Sequence, residues 1–225
     1  MNFQKHISSK MVELFHNKPY QGQHPVKANI VFLSSDANYS PEISNHSFFK
    51  EILKYQSDGV AFWEKNKCHH PFLLPNYPFN KNKAGVPFHR NFSKIGLTSK
   101  DAPNVSFLEL LDIPTIGNKS QNQDLFYKLI SKEHLQFIDK LILGGGGKLF
   151  FVSNGVLRNM LKLKNEHKVF NWLTIGTDPK EKFSKMINGN KVQEIYHFSS
   201  WQIHGQIVDI RNSIETWQKF QPTEQ

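Results

Sequence analysis

The chain contains a single cysteine, Cys68, among its 225 residues. One cysteine excludes a disulfide framework within the chain, and it also excludes zinc sites and iron–sulfur clusters that need four cysteines. A single thiol fits a reducing compartment. We therefore expect a location either in the cytoplasm, in association with the nucleoid, or in the nucleus, and no secretion.

Long apolar segments are also missing. No stretch approaches the roughly 20 apolar residues that a membrane span requires. Residues 1–18 are too polar for a secretory signal. We expect no membrane partner.

Acidic residues are few relative to basic ones. The chain has 19 aspartates and glutamates against 28 lysines and arginines, which gives a formal net charge of +9. A basic surface of this size favours a polyanionic partner, and nucleic acid is the usual one. A merely basic protein is the alternative that charge alone leaves open.

Motifs for phosphate, metal or acyl chemistry are incomplete. The run GGGGKL has Ile142 and Leu149 where a phosphate loop needs glycine and a hydroxyl residue, so it predicts a helix stop and a turn. CHH (68–70) lacks partners for a metal site and is typical of solvated loop residues. VSNG does not supply the Gly-x-Ser-x-Gly of a serine hydrolase. We therefore expect neither a metal nor another cofactor.

Apolar strands alternate with helical patterns along the chain, and this alternation predicts a three-layer α/β/α sandwich with a central, mostly parallel four-stranded sheet. We expect one domain over residues 1–225 and a monomer. The predicted strands are 28–34, 104–114, 147–155 and either 170–176 or 192–199. The predicted helices are 7–17, 46–59, 123–147, 156–164 and 204–220.

Sites in such folds lie at the carboxyl ends of the parallel strands. The first strand ends in Ser-Ser-Asp-Ala-Asn-Tyr, and a late strand ends in His-Phe-Ser-Ser-Trp. The two segments should converge on one edge of the sheet. Asp36 and His197 are then expected to approach each other across most of the sequence.

Two of these strand ends carry a family resemblance. LSSDANY (33–39) and HFSSWQ (197–202) resemble, in order and position, the two active-site motifs of the uracil-DNA glycosylase superfamily. DGVAFWE (58–64) is similar to its base-stacking segment. IGL…NVSFLELLDIPT looks like its middle strand, especially in the mismatch-specific branch, so the chain looks closer to that branch than to the classical uracil enzymes. The resemblance spans roughly residues 28–212.

The resemblance implies a monofunctional DNA glycosylase of the base excision repair type, with DNA as partner. It hydrolyses the N-glycosidic bond of a flipped, damaged or mismatched base. Asp36 would orient water and stabilise the cationic sugar, and His197 would stabilise the leaving base. The implied substrate-binding residues are Ser35, Ala37, Asn38, Tyr39, Phe62, whose ring would stack on the base, and Glu109. The implied DNA-binding residues are Ser40, Ser153, Asn154, Ser199, Ser200 and the wedge Trp201.

Departures from the family pattern concern the substrate. Ala37 and Asn38 replace the family's proline and tyrosine, and this smaller wall could admit a purine or a 5-substituted pyrimidine. Glu109 falls where the family has a base-reading asparagine. An ionised carboxylate only accepts hydrogen bonds, so it would repel the O4 of uracil.

Neither matched motif contains a lysine, so we expect no lyase chemistry. Two alternatives remain: a catalytically inactive DNA-binding module of the same fold, and a nucleoside or nucleotide hydrolase.

Overall fold

The computed structural model describes residues 2–174 and 181–220, in which nine strands form two sheets. The strands are β1 (Gln4–Lys5), β2 (Tyr20–Gly22), β3 (Ile30–Ser34), β4 (Ala37–Asn38), β5 (Val105–Glu109), β6 (Pro114–Ile116), β7 (Leu149–Ser153), β8 (Ser184–Ile187) and β9 (Asn190–Ile195). The α-helices are α1 (Ser9–Asn17), α2 (Phe49–Ser57), α3 (Gly59–Asn66), α4 (Val86–Phe92), α5 (Gln123–Lys128), α6 (Lys132–Leu143), α7 (Asn154–His167) and α8 (Ile207–Phe220). None of the helices in these ranges has the length and hydropathy of a membrane span.

The main sheet has the order β2-β5-β3-β7-β9-β8. Its four inner strands run parallel, and β2 and β8 pair antiparallel at the two edges. The prediction of an α/β fold with a mostly parallel sheet is confirmed. The prediction of four strands is wrong, because the sheet has six.

The two edge strands escaped prediction for different reasons. β2 has only three residues, too few to show an alternating pattern. β8 and β9 are joined by Asn188 and Gly189, which adopt φ values of 48° and 86°. Asn-Gly between apolar strands is a strong hairpin signal, so the sequence did carry this information. Of the two candidates for the fourth strand, 192–199 contributes to β9; 170–174 is not strand, and 175–176 lie outside the described residues.

The predicted helix 123–147 is two helices, α5 and α6. Ser131 starts α6, and its hydroxyl accepts a hydrogen bond from the amide of His134 at 3.2 Å. Serine is a preferred N-cap residue, which explains the break. After α6, the glycine run forms a turn before β7. Lys148 is buried there and donates to the carbonyl oxygens of Val26 and Ala28, both at 2.6 Å, so its ammonium group has a structural role.

Helices cover both faces of the main sheet because side chains along each strand alternate in direction. From β3, Val31 and Leu33 pack in an apolar cluster with α5, α6 and α7. Ile30 and Phe32 pack on the other face with α3, α4 and α8. The core therefore lies in two layers, one on each side of the sheet.

The small sheet, of order β1-β6-β4, lies beyond the carboxyl ends of β3 and β5. β4 begins three residues after β3 ends, and β6 begins five residues after β5 ends. Between the sheets, the amides of Leu110 and Leu111 donate to the carbonyls of Ser34 and Ser35 at 2.9 and 3.2 Å. Two neighbouring strands of the main sheet thus pass directly into the small sheet, and the loop between β3 and β4 contains Asp36.

Phe32 occupies the centre of the second core layer, with its ring centroid 4.9 to 5.8 Å from those of four other phenylalanines. We expect Phe32→Ala to lower the free energy of unfolding by about 3–5 kcal/mol, because it removes this packing and leaves a cavity. Urea unfolding measures the loss. Val208→Ala, at an exposed apolar position on α8, is the control and should change it by less than about 0.5 kcal/mol.

Candidate active site

One cavity of about 1020 Å³ opens at the carboxyl ends of the inner strands. Its size is at the upper end of the range for small-molecule sites, about 300–1000 Å³. The predicted residues that line it are Ser35, Asp36, Ala37, Asn38, Tyr39, Ser40, Glu109, Ser153, His197 and Ser199. The fold therefore brings both predicted catalytic residues to one site.

Asp36 lies in the loop between the two sheets, where its carboxylate accepts a short hydrogen bond. The hydroxyl of Thr115 on β6 donates to Asp36 Oδ2 at 2.5 Å. Burial raises the pKa of Asp36, while the Thr115 hydroxyl, the charge of Lys119 and the side chain of Asn38 act in the opposite direction. A carboxylate removed from bulk water and held by few donors is a stronger base and a stronger electrostatic partner than one on the surface.

His197 follows β9 by two residues and is exposed at the cavity wall. The amide of Ser199 donates to His197 Nδ1 at 3.1 Å. The surrounding protein and the positive charge of Lys119 lower the pKa of His197, so the neutral imidazole predominates at neutral pH. With Nδ1 accepting, its proton is assigned to Nε2, which is then a donor.

Glu109 ends β5 and is buried in the cavity floor. Burial, together with the charge of Asp36, raises the pKa of Glu109 to about 8, against a weaker opposing effect of the Ser34 hydroxyl. Glu109 is therefore mostly protonated at neutral pH. The raised pKa argues against an ionised Glu109 that only accepts hydrogen bonds, because a neutral carboxyl group also donates.

Oε2 of Glu109 is buried and has no hydrogen-bond partner in the described part of the chain. The same is true of four polar atoms of other lining residues. The four are Gln21 Oε1, Tyr39 Oη, His70 Nε2 and Tyr77 Oη. His70 Nδ1 accepts from the amide of Phe72 at 3.2 Å, which leaves the proton of the neutral ring on Nε2. Burial lowers the pKa of His70 well below its usual value. A polar ligand in the cavity would find both donors and acceptors.

The histidines of CHH are buried, and the expectation of solvated loop residues is wrong. His69 is 3% exposed and His70 0%. His70 stacks on His89 with ring centroids 3.7 Å apart, and His69 Nε2 lies 3.1 Å from His89 Nδ1. Residues 2–174 and 181–220 contain no group of three or more His, Cys, Asp or Glu that could hold a metal.

Lys119 was missed because it lies in neither matched motif. A short 3₁₀ helix (Lys119–Gln121) follows β6 and places it at the cavity wall. Its ammonium group donates to Ser35 Oγ at 3.0 Å and lies 4.7 Å from the ring centroid of Phe126. The only signal in the sequence was its position soon after the predicted second strand, where strand ends converge.

Three of the predicted DNA contacts lie outside the cavity lining. Asn154 donates to Glu194 Oε1 at 3.1 Å, and Ser200 caps the 3₁₀ helix Trp201–Gln206 by accepting from the amide of Gln202 at 3.3 Å. Trp201 is 80% exposed, the most exposed of the large apolar side chains in the described residues. It lies four residues after His197 and is not a core aromatic.

Phe62 cannot stack on a ligand in this cavity, and its predicted role is wrong. It lies on α3, is 4% exposed and packs edge-on against Tyr55 with ring centroids 5.4 Å apart. The helix directs this side chain into the core. The aromatic rings that do line the cavity belong to Phe72, Phe79 and Phe88, in addition to its tyrosines.

Ionisation of Glu109 should weaken the fold. The unfolded chain loses this proton near pH 4.5 and the folded chain near pH 8. Folding therefore becomes less favourable by about 1.4 kcal/mol for each pH unit across that window. We expect Glu109→Gln, which has the same shape and no charge, to gain stability over the wild type as pH rises from about 5 to about 8. Urea unfolding across this range measures the difference; a difference independent of pH would contradict the assignment.

Comparison with known proteins gives no relative. No protein-family model matches the chain, and no curated protein or solved structure matches it. The chemistry of the cavity, with an aspartate, a neutral histidine, a protonated glutamate and a lysine at one edge of the sheet, is the basis on which a function is proposed.

Proposed function

We propose that the protein is a DNA glycosylase that hydrolyses the N-glycosidic bond of a flipped, damaged or mismatched base. One observation carries the proposal: Asp36 and His197, from opposite ends of the sequence, line the same cavity at the carboxyl ends of the parallel strands. The resemblance of their two segments to the uracil-DNA glycosylase motifs supports the same function.

The charge states of the two residues suit the reaction. Cleavage of a base–sugar bond develops positive charge on the sugar and negative charge on the leaving base. An ionised Asp36 stabilises the cation and orients the attacking water. A neutral His197 donates a hydrogen bond from Nε2 to the base as its negative charge grows, without first having to lose a proton.

The carboxyl groups of Asp36 and Glu109 both line the cavity, and Asp36 is the one with neighbours that favour its charged form most. Its charge is one of the causes that keep Glu109 protonated, and Thr115 and Lys119 favour the charged form of Asp36. A pair of carboxyl groups with separated pKa values can divide two tasks. Asp36 then acts on the sugar, while Glu109 remains neutral in the floor.

A neutral Glu109 widens the range of bases that the floor could bind. Its carbonyl oxygen accepts and its hydroxyl donates, so the group pairs with any base edge that offers a donor beside an acceptor. Uracil and hypoxanthine present such an edge, and so do bases with an exocyclic amino group. The cavity volume and the small side chain of Ala37 leave room for a purine.

The surface favours a nucleic-acid partner. Within the described residues only two ion pairs occur, one of lysine and one of histidine. Because few basic side chains there are paired with carboxylates, the excess of 28 lysines and arginines over 19 acidic residues can attract phosphates. Trp201 extends from the protein near His197, where it could fill the gap that a flipped base leaves in the duplex.

The first test is release of free base from duplexes that carry uracil, hypoxanthine, a thymine mismatch or an alkylated base. We expect the wild type to release at least one of them. Asp36→Asn should lower its rate by about 100-fold or more, because the charge that stabilises the sugar cation is lost. Asp209→Asn, at an exposed carboxylate on α8, is the control and should keep wild-type activity.

Equal rates for wild type and Asp36→Asn would show that the role of Asp36 is wrong. Salt-dependent binding to every duplex, with no free base at any excess of protein, would instead identify an inactive DNA-binding module.

Trp201→Ala tests whether the substrate is a base in a duplex. Without the indole, the gap in the stack stays open, so we expect turnover on duplex DNA to fall about tenfold or more and turnover on single-stranded DNA to change little. Ile7→Ala, at another exposed apolar residue, is the control. A nucleoside or nucleotide hydrolase needs no wedge, and for it Trp201→Ala would have full activity on the free nucleoside.

A further inference from the structure

The amine of Lys119 lies in the cavity, but the proposed base hydrolysis does not use it as a nucleophile. It lines the cavity with Asp36 and His197, and its charge influences the pKa of both. The hydrogen bond to Ser35 Oγ ties it to the residue that precedes Asp36. Lys119 is therefore close to the position that the proposed reaction gives to the sugar.

The hydroxyl that holds Lys119 is itself fixed. Asn159 on α7 donates to the same Ser35 Oγ at 3.2 Å, and Tyr127 donates to Asn159 Oδ1 at 3.1 Å. The chain from Tyr127 to Lys119 links two helices to the cavity wall. It limits the orientations of the lysine side chain, as a positioned nucleophile requires.

The surroundings make it easier for Lys119 to lose its proton. No carboxylate lies within ion-pair distance of Lys119 in the described part of the chain. Burial lowers the pKa of Lys119, as does the charge of Lys162, and the charge of Asp36 offsets only part of the effect. A partly desolvated lysine next to another cation is the setting in which amines form Schiff bases with carbonyl groups.

We propose that Lys119 forms an imine with the C1′ aldehyde of an abasic deoxyribose, which gives the protein a lyase activity on abasic sites. The proposal rests on the proposed function only in that DNA enters this cavity. It names the product of base removal, an abasic site in DNA, as a second substrate of the same cavity.

The steps balance without any oxidant or reductant. The amine of Lys119 adds to the C1′ aldehyde of the ring-opened sugar, and loss of water gives the imine. Asp36 accepts a proton from C2′, and the electron pair of that C–H bond forms a C2′–C3′ double bond as the C3′–O3′ bond breaks. The leaving group is the 5′-phosphate of the downstream strand. Water then hydrolyses the imine, which restores the amine and leaves an unsaturated aldehyde on the upstream strand.

The expectation of a monofunctional enzyme considered only the two matched segments, which contain no lysine. The fold adds a third segment, because β6 pairs with β4 and places the 3₁₀ helix after β6 beside the loop that carries Asp36. This segment supplies the amine that the motifs lack.

Borohydride trapping tests the proposal directly. The full chain is incubated with a duplex that already contains one abasic site, and sodium borohydride reduces any imine to a stable amine. We expect a covalent protein–DNA complex on a denaturing gel, with the adduct on Lys119 by peptide mass spectrometry. Lys119→Ala and Lys119→Arg should each lower trapping tenfold or more, since neither provides the primary amine. Lys128→Ala, at an exposed lysine on α5, should trap like the wild type.

Binding to a duplex with a tetrahydrofuran residue, which has no aldehyde, separates chemistry from affinity. All trapping is done at protein concentrations that saturate this duplex. Normal binding of Lys119→Arg with lost trapping supports the proposal. Wild-type levels of trapping in both Lys119 variants, no complex with the wild type, or a parallel loss of binding and trapping would each overturn it.

Because the abasic site is already present in the duplex, the lyase and the glycosylase hypotheses are tested independently. Base release without trapping would overturn the lyase and leave the glycosylase in place. Trapping without base release from any duplex would overturn the glycosylase and leave the lyase in place.

Discussion

The hydrogen bond from Thr115 to Asp36 depends on the junction between the two sheets, and the rest of the site depends on that junction. β3 and β5 are neighbours in the main sheet, and both continue into the small sheet, where β4 and β6 pair again. A carboxylate between two paired strands has little freedom to move. The chain therefore fixes the position of Asp36 by backbone pairing on either side of it, and the side chain of Thr115 completes the arrangement.

The charged groups of the cavity influence one another. The charge of Asp36 helps to raise the pKa of Glu109, and the charge of Lys119 helps to lower the pKa of His197. The cavity lining thus combines the acidic side chains of Asp36, Glu42 and Glu109 with the basic side chain of Lys119 and the imidazole of His197. In the proposed reaction, an acidic side chain here would act on the sugar and not on the base, because only the sugar becomes positively charged during bond cleavage.

The sequence predicted three of the four inner strands, with the fourth as one of two alternatives, and the convergence of their ends, because both follow from hydrophobic patterning and from the rules of parallel sheets. It did not predict what depends on long-range packing. Phe62 matched a motif but faces the core. His70 lies in a proline-rich segment but is fully buried. Lys119 lies at the cavity because β6 pairs with β4. Local pattern determines the direction of a strand, whereas the neighbours of a side chain depend on which distant segments pack against it.

A third apolar cluster, separate from the two that sandwich the main sheet, packs around the small sheet and the aromatic side of the cavity. Its members include Phe15 on α1, Tyr39 and Phe72. The residues that shape the cavity are thus largely different from the residues that stabilise the main sheet. A substitution in this third cluster would therefore change the shape of the cavity and cost stability where it removes buried packing, while the two layers on the main sheet keep their own contacts.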